Sequence, residues 1–319
     1  MAGPFRFIAP MPRLDGDIDA WIGRIRQIES RGFSSVSVSE HLTLGWKLDP
    51  LIAMTAAALS APGLRVLSLV LANDFRHPVI IHKAIATLDV LSEGRVELGL
   101  GTGWLASDYE ASGLRLDPPN LRIERLAEAV DVIRGLFLDE PLTYSGRHYR
   151  ITALDGLPKP VQRPAPPILI GGGGRRILEL AGRKADIVGL HARLAGGRLE
   201  AGVVTEFRAD RMAMKVAWAR EAAAAAGRRS DDLEFQCTAY LIDIRGGAPR
   251  GTVVRSTFAD LLAASPEVAR ESPAVLVGSV DQCVDRLRRW RDELGISYWN
   301  LGPDVDAVAP IVERLSGRY

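Results

Sequence analysis

The stretch Leu98-Gly99-Leu100-Gly101-Thr102-Gly103-Trp104 ends a short apolar run that begins at Val96 and leads into a polar, helix-forming segment. Glycine at alternate positions removes the Cβ that would hold a flat or anionic ligand off the backbone. A loop of this kind at a strand end is where parallel α/β proteins place a cofactor. Taken alone, the pattern also describes a tight turn with no ligand. The units on either side decide between the two.

Working outward, short apolar runs alternate with helical segments along the chain. Upstream, the expected strands are Phe5 to Pro10, Val36 to Glu40 and Arg65 to Leu71. The helices between them are Ile18 to Ser30, Pro50 to Leu59 and Pro78 to Leu91. Val96 to Leu100 is the fourth strand, and its helix runs from Arg122 to Leu138. Downstream strands are expected at Ile168 to Ile170, Asp186 to Leu190, Glu234 to Asp243 and Ser297 to Leu301. The helices among them are Arg176 to Arg183, an alanine-rich one ending near Ala226, Val280 to Leu294 and Val305 to Leu315. Eight strand–helix pairs read as an α/β protein, a closed (β/α)8 barrel forming one domain over residues 1–319. The rival, a doubly wound open sheet, has fewer strands and puts its glycine loop after the first strand rather than the fourth. Thr143 to Pro167, hairpin-like around Gly146, interrupts the repeat. So do Ala195 to Arg211 and Arg245 to Pro273, near the C-terminal ends of later strands, where lids and substrate-binding elements belong.

Composition narrows the classes. The formal charge of +1 argues against a dedicated nucleic-acid partner. Cys237 and Cys283 lack metal-ligand spacing and read as buried, reduced thiols, so no metal is expected. The N-terminal residues lack the basic head and apolar core of a signal peptide. No apolar run reaches the roughly 18 residues a membrane span needs. The expectation is a cytoplasmic protein with a small-molecule substrate.

Glu40-His41 ends the second strand, the right address for a proton-transfer residue. Glu40 could raise the imidazole pKa, contact a cofactor or cap the next segment. Arg76 could meet a phosphate or carboxylate, whereas His77, just before Pro78, suits a helix cap. Ala72-Asn73-Asp74 lies at the barrel mouth. Gly171 to Gly174 followed by Arg175 and Arg176 combines bare N–H groups, a helix start and two cations, an anion site. No Lys-Ser/Thr follows, so it is not an ATP-type loop. Trp46, Trp104 and His191 fall at strand ends and are candidates for the substrate pocket. His82, His148, Trp21, Trp218, Trp290 and Trp299 read as structural.

Several motifs together resemble the luciferase-like monooxygenase superfamily, and within it the branch using the deazaflavin coenzyme F420. They are Arg76-His77-Pro78, Ala86 to Arg95, Leu98 to Trp104, Gly146-Arg147-His148-Tyr149, Pro158 to Pro164, Pro166 to Gly172 and the Val275 to Ile296 tail. The resemblance implies a barrel, a homodimer and His41 as proton donor or acceptor. It also implies cofactor contacts from Glu40, Ala72, Thr102, Gly103, Ser107, Gly172 and Gly173, and a non-prolyl cis peptide near Leu69-Val70. Glu40 departs from the usual aspartate. Trp104 stands where the sugar-phosphate dehydrogenases of the branch carry a catalytic glutamate. The first functional expectation is hydride transfer between F420 and a small organic molecule, with Arg175 among the cofactor contacts. The alternatives are an FMN-dependent monooxygenase supplied with reduced flavin by another enzyme, and a non-catalytic flavin-binding protein. Ile85, Leu88 and Leu91 on one helix are expected to exceed what a single shell covers, in line with a dimer.

Overall fold

The computed structural model describes residues 3–43, 45, 48–194, 201–245 and 257–318. Eight parallel strand positions close into a barrel. In chain order they are β1 (Arg6–Pro10), β2 (Ser35–Val38), β3 (Arg65–Ser68) continued by β4 (Leu71–Ala72), and β5 (Val96–Gly101). Beyond a hairpin of β6 (Leu142–Ser145) and β7 (Arg150–Leu154) come β8 (Ile168–Gly172), β9 (Ile187–Leu190) and β10 (Glu234–Ala239). The last barrel strand is β13 (Ile296–Leu301), and pairing of β3 with β5 completes the ring. The fold is a (β/α)8 barrel.

The strands are buried on both faces, even where serine, glutamate or glycine alternates with apolar residues, as in β2 and β5. Inward residues Ile8, Leu67, Leu169, Ile187 and Tyr298 pack along the axis. Outward residues pack on the surrounding helices in a separate, larger core that includes Trp21, Trp290 and Trp299. Local signals set the helix ends. In α1 (Ile18–Ser30) Asp17 accepts from the Ala20 N–H, and α2 spans Pro50–Ser60. The His77 side chain accepts from the Val79 N–H at the start of α3 (Pro78–Leu91), the capping role its position before Pro78 suggested. The hairpin turns at Gly146, whose neighbours Arg147, His148 and Tyr149 donate their N–H groups to the Glu128 carboxylate. Cys237 and Cys283 are buried free thiols, as read from the sequence.

Two strands differ from expectation. The run Arg65 to Leu71 divides into β3 and β4, and the Leu69–Val70 peptide between them is cis. The cis peptide lies where the family resemblance places one. The run Glu234 to Asp243 also divides. At Tyr240 the chain leaves the barrel: the Tyr240 and Leu241 N–H groups donate to Ala274 O, and β11 (Leu241–Arg245) pairs with β12 (Val275–Ser279) in a small outer sheet. The second strand ends at Val38, so Glu40 and His41 sit on the loop beyond it. Among the described residues no helix is long and apolar enough to cross a membrane.

The N-terminal end of the barrel is closed by charge. Arg6, Ser35, Arg65, Glu97 and Glu234 occupy the first or second position of their strands. Glu97 takes hydrogen bonds from Arg6, from Arg65 Nε at 2.7 Å and from the Tyr298 hydroxyl at 2.8 Å. Arg6 also reaches Glu234 at 2.7 Å and lies 4.0 Å over the Tyr298 ring.

Candidate functional site

At the C-terminal end of the strands, β5, β8 and β9 present glycines. A Cβ on Gly99 would fall 1.9 Å from the Ser68 carbonyl oxygen, and one on Gly101 would fall 2.7 Å from a Val70 methyl. Gly171 faces the same Val70 side chain. Val70, just after the cis peptide, takes space that side chains on Gly101 and Gly171 would need, and the Ser68 carbonyl blocks one on Gly99. Together they leave a low, apolar floor at the mouth.

The loop after β2 supplies the titratable groups. His41 Nδ1 lies 2.8 Å from Asp108 Oδ2, and the Trp104 ring meets the imidazole edge-on with centroids 6.0 Å apart. Asp108 sits in α4 (Ala106–Ser112) with its side chain 4% exposed. Its other oxygen accepts from the Leu42 and Thr43 N–H groups and from the Thr43 hydroxyl. Burial alone would raise this carboxyl. The hydrogen bonds from Thr43 and His41 outweigh it and hold the group below the usual carboxylate range.

Glu40 turns to β4 and the loop after it. Its oxygens accept from the Ala72 N–H at 2.9 Å and from Arg76. Burial pushes the Glu40 carboxyl above its usual range, opposed by those two donors. Arg76 continues to Asp49 at 2.8 Å and is spent on two protein carboxylates. It is thus no open anion contact. Adjacent residues of an extended segment point to opposite sides, so the carboxylate next to His41 in sequence is not the one that meets its ring.

The remaining candidates gather unevenly. Thr102, Gly103, Trp104 and Ser107 line the segment after β5, and the Ser107 hydroxyl lies 3.0 Å from that of Thr43. Gly103 has φ +72°, and a Cβ there would strike the Tyr109 hydroxyl. Arg122 of α5 (Pro119–Phe137) donates to the carbonyls of Thr102 and Gly103, fixing this loop from behind. Gly172 and Gly173 precede α6 (Arg175–Lys184), whose N-cap Gly174 offers no side-chain acceptor. A Cβ on Gly173 would collide with the Ala192 backbone at 2.2 Å, whereas one on Gly174 would meet nothing within 4 Å. The Arg175 guanidinium lies along its own helix against Glu179 at 2.7 Å and is 65% exposed. Trp46 lies outside the described residues.

His191 lies in an aromatic cluster at the rim. Its Nε2 lies 2.6 Å from the Tyr240 hydroxyl, and its ring packs edge-on against Phe207, Tyr240 and Phe258. Burial pushes the imidazole down to about 4. This cluster fastens the 201–207 turn and α8 (Thr257–Ala263) to the barrel rim.

The floor and the α6 N-terminus fit a flat ring carrying a phosphate, since backbone N–H groups at a helix start favour an anion. A family model described as luciferase-like monooxygenase matches residues 5–242. The chain belongs to that family. It is 38% identical over 165 residues to an F420-dependent glucose-6-phosphate dehydrogenase of Microbacterium testaceum, covering 50% of this chain and 48% of that protein. It is 26% identical over 204 residues to an FMNH(2)-dependent dimethylsulfone monooxygenase of Pseudomonas putida, covering 58% and 56%. It thus spans about half the length of the curated relatives it matches. A coenzyme F420-dependent tetrahydromethanopterin reductase of Methanopyrus kandleri has the same fold, with a TM-score of 0.73, 19% identity and 98% of each chain covered.

In this luciferase-like chain, sequence reasoning missed Asp108 and Arg122. Asp108 carried a signal: an acid at the start of the polar segment that follows the glycine loop. Arg122 carried none, because its partners are backbone carbonyls.

Proposed function

We propose that the chain is an F420-dependent oxidoreductase, a single catalytic domain moving a hydride between the deazaflavin and a small organic molecule. One observation carries the reading: His41, held by Asp108, stands at the same mouth as the glycine-and-Val70 floor. The F420-dependent relatives support the choice of cofactor. Bound F420 would supply a two-electron hydride carrier. Val70 and the bare strands would carry its ring, and Thr102, Gly103, Ser107, Gly172 and Gly173 would border it. Ala72 is buried, and its N–H is committed to Glu40. Glu40 with Arg76 therefore braces the cofactor edge rather than binding an anion. His41 would give or take the proton at the reacting substrate atom. Trp104, in place of the glutamate of the sugar-phosphate dehydrogenases, argues for a substrate other than a sugar phosphate.

The decisive measurement is fluorescence titration. F420 should bind at least about tenfold more tightly than FMN, a difference of about 1.4 kcal/mol. Equal or reversed affinities would overturn the F420 reading in favour of an FMN monooxygenase fed by a separate reductase, the reading that the dimethylsulfone monooxygenase relative favours.

The same enzyme is proposed to be a cytoplasmic homodimer. The expected apolar surplus on α3 is placed differently from the sequence reading: Ile85 and Leu88 are buried, and of that trio only Leu91 is exposed. Leu91 instead continues a stripe with Ile80, beside Ile52 and Leu59 of α2, which are 72% and 63% exposed. Exposed apolar side chains on two neighbouring helices suit a second copy of the chain. A monomeric mass by light scattering at micromolar concentration would count against it.

A further inference from the structure

We propose that Asp108 is a positioning residue that selects the tautomer of His41. The catalytic consequence rests on the oxidoreductase reading; the tautomer itself does not. The Asp108 carboxylate, held in its ionised form, can only accept hydrogen bonds. With Oδ2 at 2.8 Å, His41 Nδ1 must carry the hydrogen. The neutral ring then has its lone pair on Nε2. Glu40, the neighbour in sequence, faces Arg76 and the Ala72 N–H instead.

The second oxygen makes the arrangement more than a single contact. Oδ1 gathers the Leu42 N–H at 3.1 Å, the Thr43 N–H at 2.8 Å and the Thr43 hydroxyl at 2.5 Å. One buried carboxylate therefore fixes the ring and the two peptide groups that follow it. The imidazole cannot flip without breaking its 2.8 Å contact to Asp108 on α4. Trp104, three residues into the loop that leads to α4, bounds the ring on another side. Four donors converging on a 4%-exposed carboxylate is a costly way to staple a loop unless the ring's orientation matters.

Asp108→Asn separates these roles. The amide oxygen can still accept from the loop, but the NH2 group would face Nδ1 as a donor. The lone pair should then move to Nδ1 and the hydrogen to Nε2. The measurement is 15N NMR of histidine-labelled protein without cofactor, at a pH high enough for a neutral ring, with His41→Gln assigning the resonance. The wild type should show the Nδ1–H form and Asp108→Asn the Nε2–H form. With a substrate in hand, kcat of Asp108→Asn should fall by about 10²-fold or more, while F420 affinity changes little. An Nε2–H form in the wild type would overturn the proposal even if the variant fails to fold. So would an unchanged tautomer in a variant whose melting temperature has dropped, the mark of a loop staple. Failure to bind F420 would overturn the oxidoreductase reading and leave the tautomer result standing.

Discussion

At the N-terminal end of the barrel, Arg6, Arg65, Glu97 and Glu234 satisfy one another, and the Tyr298 ring seals them against the axial core. At the C-terminal end, the groups of the same kinds are held by the frame around them. Glu40 is gripped by a backbone N–H and Arg76, Asp108 by a loop, and His41 by Asp108. The first arrangement uses charge to close the barrel. The second uses charge to aim one ring. Buried charge alone therefore does not mark a functional site; what marks it is a titratable group whose partners leave it a defined direction.

The difference can be broken from the mouth first. His41→Ala should lower turnover by about 10²- to 10⁴-fold, the usual worth of general acid–base catalysis, with little change in F420 affinity. His41→Gln keeps the ring's approximate size and hydrogen bonding but cannot cycle a proton, and should be nearly as poor. A stable, fully active alanine variant in a steady-state assay would remove His41 from the reaction. The N-terminal end should respond in stability instead. Glu97→Gln leaves two guanidiniums short of charge, and urea unfolding should show a loss of about 3–5 kcal/mol. Turnover per folded molecule should be unchanged. Burial favours a protonated Glu97, but Arg6 and Arg65 outweigh it and depress its pKa. Its contribution is therefore present above the ordinary carboxylate range and is lost as pH falls through the folded value. The variant should lose that part of the acid limb. A loss below about 1 kcal/mol would place the network among the weak surface pairs.

The smallest expected effect concerns Arg175. Arg175 is a solvated i, i+4 partner of Glu179. Arg175→Ala should change F420 affinity by less than about threefold. A tenfold loss by the same titration would return Arg175 to the site.

The barrel was legible because its signal is repetition: each strand–helix pair supports the reading of the next, and an error of a residue or two in Val36 to Glu40 does not disturb the count. The strand divisions at Leu69–Val70 and Tyr240 were not legible from periodicity, since apolar character continues through both. The first came only through family likeness. In the site, His41 and the glycine floor could be found from position along the strands. The partner of His41 could not, because Asp108 is 67 residues away and reaches the ring from α4. A sequence shows that Arg76 and Arg175 are charged, but not that Arg76 meets Glu40 and Asp49 or that Arg175 lies against Glu179.

The aromatic cluster of His191, Phe207, Tyr240 and Phe258 has a bearing on how such a scaffold can be altered. Residues from the exit of β9, the 201–207 turn, the exit from β10 and α8 meet in one knot. The 201–207 turn and α8, distant in sequence, are thereby packed as a pair. Transplanting either one from a relative would import half a knot, so a chimaera with a new rim would have to exchange both segments together with the residues that tie them.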